Sequence, residues 1–222
     1  MSKNILMVLT SHMTLTENKS TGLWLEEYAA PYASFIKQGY NVTVASIEGG
    51  QVPLDSNSLP EEEHPEWQEA QALLTNTEKL GEEHAEAEYD AVFLPGGHGT
   101  VFDFPDHSIL QRLIAKQADN GAVIGSVCHG PASLINVTLD DGTPLVKGKK
   151  VNAFTDDEER EMQLDHAVPF LLESTLKERG AEFVRGDNWS DFSVRDGNLV
   201  TGQNPMSSQS TADKVIEALE EH

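Results

Sequence analysis

Residues 122–132 read AVIGSVCHGPA, an apolar run that ends in Cys128 and continues directly into a His-Gly-Pro segment. The apolar run predicts a buried strand, and the glycine and proline behind it predict a tight turn into a helix. A nucleophile on such a turn needs small neighbours, because the backbone is strained and the helix packs close beneath it. Ser126 and Gly130, two residues on either side of the thiol, meet this requirement.

Cys128 is the only cysteine of the chain, and two interpretations of it compete. A lone cysteine on an apolar strand is commonly a buried, inert core residue. Its position at the end of the strand, rather than within it, favours a reactive thiol. On a strand-to-helix turn the thiol would lie over the N-terminus of the next helix, where the helix dipole and free N–H groups favour the thiolate.

Length and composition indicate one globular domain over residues 1–222, with 38% hydrophobic residues to build its core. Acidic residues outnumber basic ones by 37 to 15, and the resulting net charge of −22 would repel nucleic acids and anionic membranes. A single cysteine excludes an internal disulfide, and the sequence shows neither a signal peptide nor an apolar run of ~18 residues. These features predict a cytoplasmic protein with neither nucleic acid nor membrane as partner.

Short β-rich runs alternate with amphipathic segments, which predicts an α/β fold: a doubly wound, mostly parallel sheet with helices on both faces. Strands are predicted at 4–10, 41–47, 89–95, 122–128, 150–154 and 182–185, with a hairpin turning at Asp196-Gly197. Helices are predicted at 21–38, 66–80, 109–119, 166–179 and 208–219. Residues 54–88 would form a small insertion or cap near the site. In such a sheet, functional sites gather at the carboxyl ends of the strands.

A glycine-rich turn, Gly96-Gly97-His98-Gly99, follows the predicted strand 89–95. Backbone amides can approach a ligand closely there, and together with the amide of His129 they would form an oxyanion hole. The alternative is an ordinary glycine loop. The GxGxxG spacing and a Gly-Lys-Ser/Thr ending are both absent, so a phosphate-binding loop is not predicted and no cofactor is expected.

The histidines and tryptophans give weaker signals. None of the eight histidines has the HExxH spacing, and without further cysteines no metal site is predicted. We expect four of them on the surface or in loops: His12, His64, His84 and His107. We assign Trp24 and Trp67 to the core. Trp189 lies in a loop-like stretch, and the sequence does not distinguish a position in the pocket from one in the core.

Several segments together resemble the ThiJ/PfpI branch of the class I glutamine-amidotransferase-like superfamily, which has a flavodoxin-like fold. The matching segments cover nearly the whole chain: TGLWLEEYAAP at 21–31, FLPGGHG at 93–99, VCHGPA at 127–132, NAFTD at 152–156 and LVTGQNP at 199–205. Within that branch, GHGTVFDFP at 97–105 resembles the group of heat-shock chaperones and glutathione-independent glyoxalases.

The resemblance implies a set of site residues. It places the acidic partner of Cys128 at Glu27, four residues before a proline, with Glu26 as the competitor in register. Only one of the two can face the thiol, because adjacent helix residues point ~100° apart. A shielded Glu27 would be protonated and could hydrogen-bond the thiolate or move a proton.

The resemblance also makes His129 the triad base, although we do not expect its ring to turn easily onto the neighbouring thiol. The carboxylate that orients this histidine would be Glu159. The acidic run leaves Asp156, Asp157 and Glu158 as alternatives.

The residues 203–206, Gln-Asn-Pro-Met, depart from the His-Pro-Glu sequence of true glutamine amidotransferases, so ammonia production from glutamine is not expected. The resemblance implies instead a cofactor-free homodimeric glyoxalase that converts 2-oxoaldehydes such as methylglyoxal to D-lactate-type 2-hydroxy acids. Cys128 would attack the aldehyde, the amides of Gly97 and His129 would hold the oxyanion, with His98 in the same substrate-binding turn, and Glu27 or His129 would act as base.

Other functions remain open at this point. A holdase chaperone would bind unfolded clients through an apolar patch around Trp67, Leu73 and Leu74. A cysteine peptidase or deglycase would use the same thiol, but a peptidase needs an open groove. A redox sensor would oxidise Cys128 to the sulfinate.

Overall fold

The computed structural model describes residues 2–221, and a seven-stranded sheet forms its centre. The strands of the chain, in order, are β1 (Asn4–Leu9), β2 (Thr14–Thr16), β3 (Lys19–Ser20), β4 (Asn41–Ser46), β5 (Glu78–Lys79), β6 (Ala91–Leu94), β7 (Val123–Val127), β8 (Lys150–Val151), β9 (Glu182–Phe183), β10 (Ser193–Asp196) and β11 (Leu199–Gly202). The sheet has the order β10-β11-β7-β6-β1-β4-β5, and all neighbours are parallel except β10 and β11. The predicted doubly wound sheet is confirmed.

Helices cover both faces of this sheet. They are α1 (Leu25–Lys37), α2 (Gln68–Leu73), α3 (Glu82–Glu86), α4 (Thr100–Asp103), α5 (Ser108–Asp119), α6 (Asp156–Glu161), α7 (Leu172–Glu178) and α8 (Ser208–Glu220). Alternate residues of β1 point to opposite faces: Met7 joins the core beneath α1 and α8, whereas Val8 joins the core beneath α5 and α7. Both faces are therefore apolar, as expected for a central parallel strand.

The helix predicted at 21–38 begins later, at Leu25. The preceding residues are held in extended conformation because the amide of Leu23 donates to the carbonyl of Pro53 and that of Trp24 donates to the carbonyl of Gly96. This anchoring brings the first turn of α1 against the turn that follows β6. Trp24 itself is partly exposed, so its assignment to the core is wrong.

The helix predicted at 66–80 is wrong in its second half. A short 3₁₀ turn (Pro65–Trp67) leads into α2, which ends at Leu73, and the chain then reverses so that β5 pairs with β4 at the edge of the sheet. The amide and carbonyl of Thr77 pair with those of Gly50, which holds the extended conformation. Long-range backbone pairing thus overrides the local helical pattern.

The apolar patch proposed for client binding does not form as predicted. Trp67 and Leu74 are buried against the core, which confirms the assignment of Trp67, and only Leu73 is exposed, at 39%. The other large apolar side chains that are exposed among the described residues are spread along the chain, and Met13, Leu59 and Met206 are the most exposed of them.

Two further predictions need correction. The helix expected at 166–179 is confined to α7, because Pro169 disfavours helical conformation in the residue before it. The strands expected at 150–154 and 182–185 are short, and they pair with each other in a separate two-stranded sheet outside the main one. The hairpin turning at Asp196-Gly197 is confirmed, with Gly197 at a φ of 60°.

Of the four histidines expected at the surface or in loops, His84 is buried within α3 and that expectation is wrong for it. Its Nδ1 accepts a hydrogen bond from the amide of Gly81, and its Nε2 lies 3.3 Å from the carboxylate of Glu78. His12, His64 and His107 are partly exposed. No helix within residues 2–221 combines the length and apolarity that crossing a bilayer requires.

Candidate active site

The site lies where the chain leaves β6 and β7, next to the first turn of α1. The strand order changes direction between β1 and β6, and the site lies beside this point, the usual position of sites in doubly wound sheets. Cys128 follows β7 directly, with a φ of 60°. Its amide donates to the carbonyl of Gly202, and its carbonyl accepts from the amide of Phe154, so the strained conformation is held from two sides.

The need for small residues around the thiol has a direct structural cause. A Cβ atom at Gly130 would overlap the carbonyl oxygen of Leu94 and crowd the hydroxyl of Ser126. That hydroxyl donates to the same carbonyl at 2.9 Å. Glycine and serine therefore allow the segment after Cys128 to fold back closely over the end of β6.

The thiol of Cys128 is buried, with 3% of the residue exposed. Burial raises the pKa of this thiol well above its usual value. Only a short 3₁₀ helix (Gly130–Leu134) comes after the turn. Contrary to the expectation, no α-helix follows the turn directly, so a helix N-terminus does not offset the effect of burial on the pKa of the thiol.

The imidazole of His129 is in contact with the thiol. Its Nδ1 lies 3.4 Å from Sγ of Cys128, and its Nε2 lies 2.7 Å from Oε2 of Glu159. The expectation that the two neighbouring side chains diverge is wrong, because the left-handed conformation at Cys128 turns the following residue back toward the sulfur. Burial, and next the neighbouring His98, lowers the pKa of His129, so the ring is neutral.

Helix α6 decides which acid reaches His129. Thr155 caps the helix in a capping box with Glu158, and the next residue, Glu159, faces the histidine. Asp157 is exposed and pairs with Arg185. The helix register thus selects Glu159, and the other candidates of the acidic run bond elsewhere.

Glu158 is fully buried and belongs to a different network. Its Oε2 accepts from the amide and hydroxyl of Thr155, and its Oε1 accepts from the Trp189 amide and from the side-chain amides of Gln203 and Asn204. Asp156 likewise lies away from His129 and accepts from the hydroxyl of Ser174. Neither acid contacts His129.

Glu159 also contacts a second histidine. Nε2 of His98, in the glycine-rich turn, lies 2.6 Å from Oε1, and the rings of His98 and His129 are 4.0 Å apart between centroids. Burial alone would raise the pKa of Glu159, but the interactions with His129 and His98 outweigh it and hold the pKa well below the usual range. Glu159 is ionised and shared by two imidazole rings.

The same three side chains form a group of potential metal ligands. One ligand atom from each of His98, His129 and Glu159 lies within 4.8 Å of the others. No metal site was predicted here, because the three residues come from separate segments with no ligand spacing in the sequence. The nitrogen–oxygen distances of 2.6 and 2.7 Å are hydrogen-bond lengths, shorter than the ~3.4 Å between two ligands of a tetrahedral zinc ion, so we assign these atoms to hydrogen bonds.

Glu27 lies on the opposite side of the thiol. It is fully buried on α1, whereas Glu26 is exposed, so the register expected for the pair is confirmed. Its Oε2 accepts from the amide of Gly96 at 2.7 Å. Its Oε1 has no partner with standard hydrogen-bond geometry, but the thiol of Cys128 is close enough to interact with the carboxyl group. Burial raises the pKa of Glu27 well above its usual value, so the carboxyl is neutral.

The glycine-rich turn adopts a conformation that other residues would disfavour. Gly97 has a φ of +104°, and a Cβ atom there would overlap the carbonyl oxygen of Gly22. Within residues 2–221, the amides of Gly97 and His129 donate to no protein group. Two donors near the thiol are thus available to a ligand.

Aromatic side chains that sequence reasoning did not place form one wall of the site. The ring of Phe154 lies 4.4 Å from that of His129 and 5.5 Å from that of Trp189. Trp189 has a φ of 61° and packs partly buried against the core, which settles its position. The match at NAFTD pointed to the Phe154 segment, but no sequence signal connected Trp189 to it.

Comparison with known proteins agrees with this geometry. The model of the DJ-1/PfpI family matches residues 20–218. The chain belongs to the DJ-1/PfpI family. It is 32% identical to the glutathione-independent glyoxalase HSP31 of Saccharomyces cerevisiae over 98% of each chain.

Two solved structures superpose closely on this chain. The crystal structure of glyoxalase III from Candida albicans matches with a TM-score of 0.84 and 32% identity over 97% of each chain. The Rapid Encystment Protein of 24 kDa from Francisella tularensis matches with a TM-score of 0.90 and 34% identity, over 98% of this chain and 99% of that one.

The departure from amidotransferases also has a structural counterpart in this member of the DJ-1/PfpI family. Where a His-Pro-Glu sequence would stand, Gln203 and Asn204 direct their side-chain amides to Glu158. Neither residue is a base. In their place, the histidine beside the thiol comes from the turn that carries the thiol itself.

Proposed function

We propose that this protein is a glutathione-independent glyoxalase that converts methylglyoxal and related 2-oxoaldehydes to 2-hydroxy acids. The main support is a continuous series of contacts: Sγ of Cys128 lies next to Nδ1 of His129, and Nε2 of His129 donates to the ionised Glu159. This arrangement supplies a nucleophile, a base and a group that orients the base. The names of the relatives from Saccharomyces cerevisiae and Candida albicans support the same chemistry.

The first step is addition of the thiol to the aldehyde. An ionised carboxylate only accepts hydrogen bonds, so the proton of neutral His129 lies on Nε2, facing Glu159. Nδ1 is then free to take the thiol proton as Sγ bonds to the aldehyde carbon. The resulting oxyanion would be stabilised by the unused amides of Gly97 and His129.

The neutral carboxyl of Glu27 assists this step from the other side. With Oε2 held by the amide of Gly96, its proton resides on Oε1, the oxygen that lacks another partner. Oε1 can therefore donate to the sulfur as negative charge develops on it. Replacement of Glu27 by glutamine keeps a donor in this region but removes the exchangeable carboxyl proton.

A proton must next move from the former aldehyde carbon to the neighbouring carbon. Removal of the C1 proton gives an enediol, and protonation of C2 gives a thioester with Cys128. Water then hydrolyses the thioester, which releases a 2-hydroxy acid such as D-lactate and restores the thiol. No external reductant or oxidant enters, because the aldehyde is oxidised while the adjacent ketone is reduced.

The enclosed position of the thiol favours a small substrate. With 3% of Cys128 exposed and aromatic rings beside His129, an extended peptide would not reach the sulfur without displacing the wall. This observation disfavours the peptidase alternative.

The test is lactate formation from methylglyoxal without glutathione, with a D-lactate-specific readout. We expect turnover by the native chain, none by Cys128→Ala and strongly reduced turnover by Glu27→Gln. Glu26→Gln is the matched control, since this neighbouring acid is exposed, and it should retain native rates. No lactate from the native chain, or full activity without the thiol, would contradict the proposal.

A further inference from the structure

His98 is a second buried histidine on the carboxylate of Glu159, and the mechanism above gives it no task. We infer that His98 is a catalytic residue, the base that removes the C1 proton of the hemithioacetal and returns it to C2. This assignment rests on the proposed glyoxalase function and adds to it the group that carries the proton between the two carbons.

The hydrogen bonds define which nitrogen of His98 can act. Nε2 lies 2.6 Å from Oε1 of Glu159 and must donate, because the ionised carboxylate can only accept. In the neutral ring the lone pair therefore lies on Nδ1. Within residues 2–221 this nitrogen has no hydrogen-bond partner, and 5% of the side chain is exposed. His98 thus presents an unoccupied basic nitrogen.

The location of His98 suits proton transfer on a substrate attached to Cys128. The residue directly follows Gly97, whose free amide is proposed to hold the oxyanion. Its ring stands 4.0 Å from the ring of His129, which contacts the thiol. The two imidazole rings therefore lie side by side, and one of them contacts the sulfur.

The other two groups are less suited to this step. Glu27 is neutral and its Oε2 is held by the amide of Gly96, so it serves as a donor rather than an acceptor. His129 has already taken the thiol proton in the addition step. Glu159 can stabilise a positive charge on either ring, so the site can hold a second base without a second carboxylate.

The step balances as a 1,2 shift of a proton. Nδ1 of His98 takes the C1 proton, the C1–H electron pair forms the C1–C2 double bond, and the C2 carbonyl oxygen receives the former thiol proton from His129, which becomes neutral again. The imidazolium of His98, stabilised by Glu159, then gives the C1 proton to C2 as the C1 oxyanion becomes the thioester carbonyl. His98 returns to its neutral form.

The experiment replaces His98 by glutamine, which mimics one of the two ring nitrogens. His98→Gln places an amide near the position of Nε2 and keeps a donor to Glu159, but it removes the base. We expect kcat to fall by about 10²–10⁴-fold with a smaller change in KM. The rate of Cys128 alkylation by iodoacetamide should stay within about twofold of native, because His129 keeps its contacts. His84→Gln, at a buried histidine outside the site, is the matched control and should retain kcat.

Methylglyoxal deuterated at C1 gives an independent readout. If His98 removes this proton, replacing His98 slows C–H cleavage until it limits the rate. The deuterium isotope effect on kcat should therefore be larger in His98→Gln than in the native chain. Near-native kcat in His98→Gln overturns the assignment while leaving the glyoxalase function intact. A parallel collapse of iodoacetamide reactivity also overturns it, since His98 would then only position Glu159. Failure of the native chain to form lactate contradicts both proposals.

Discussion

Nε2 of His129 donates to Oε2 of Glu159 at 2.7 Å, and both side chains are buried. This bond keeps the proton of the neutral ring on Nε2, so that Nδ1, the nitrogen that faces the thiol, is unprotonated. The orientation of the base and the negative charge that stabilises its protonated form therefore come from one carboxylate.

Replacing that carboxylate should impair catalysis more than folding. In Glu159→Gln the negative charge is lost, and the new NH₂ group faces a ring nitrogen that also carries a proton. We expect kcat for lactate formation to fall by about 10²–10⁴-fold, with a smaller change in KM. Asp157→Asn, an exposed acid on the same helix, is the control and should behave as native. Equal losses in both variants would show that the helix, rather than the bond to His129, is affected.

The turn after β6 should not tolerate a side chain at Gly97. An added Cβ would overlap the carbonyl oxygen of Gly22 in addition to the strain of a positive φ. Gly39 also has a positive φ, 75°, but nothing lies within 4 Å of an added Cβ. Urea unfolding should show that Gly97→Ala destabilises by at least about 2 kcal/mol more than Gly39→Ala. Similar losses for the two variants would mean that the turn moves freely.

Glu158 should contribute to stability through its buried hydrogen bonds. Its oxygens accept only from donors, including the Trp189 amide and the side-chain amide of Asn204. In Glu158→Gln an NH₂ group must face some of these donors, so we expect a loss of about 2–4 kcal/mol in the free energy of unfolding. The exposed Glu178→Gln should change it by less than about 0.5 kcal/mol. A near-UV circular dichroism change from Trp189 should accompany the first variant, and an unchanged unfolding curve would contradict the assigned network.

Asp103 should make stability depend on pH. Burial raises its pKa from 3.8 to about 6, although hydrogen bonds from the Ser11 amide and the Thr10 hydroxyl lower it. Because the folded state binds this proton more tightly, the stabilisation is complete below the unfolded pKa and is lost as the pH rises through about 6.

The variant Asp103→Asn isolates this contribution from the general repulsion among acidic groups. Between about pH 5 and pH 7.5 it should lose about 1 kcal/mol less than the native chain. The measurement is urea unfolding of both chains at the two pH values. The exposed Asp106→Asn is the control and should follow the native slope. Parallel slopes for Asp103→Asn and the native chain would exclude a raised pKa at Asp103.

Much of the fold follows from local pattern. The strand Asn4–Leu9, the helix Ser108–Asp119 and the strand leading to Cys128 were predictable because each buries a continuous or periodic apolar set. The edge strand Glu78–Lys79 was not predictable, because its polar sequence forms a strand only through pairing with β4. The separation of Lys150–Val151 from the main sheet likewise depends on its partner, Glu182–Phe183.

The sequence by itself determined the single thiol, its small neighbours and the family to which its motifs belong, and the resemblance to that family pointed to Glu27 on α1. Only the tertiary structure decided which acid of the run 156–159 meets His129, and that His98 shares it. It also decided that Cys128 is buried and that His129 turns back onto it. The physical reason is range: residue type and spacing encode local conformation, whereas a carboxylate reaches two histidines from distant segments only after the sheet has brought β6, β7 and α6 together.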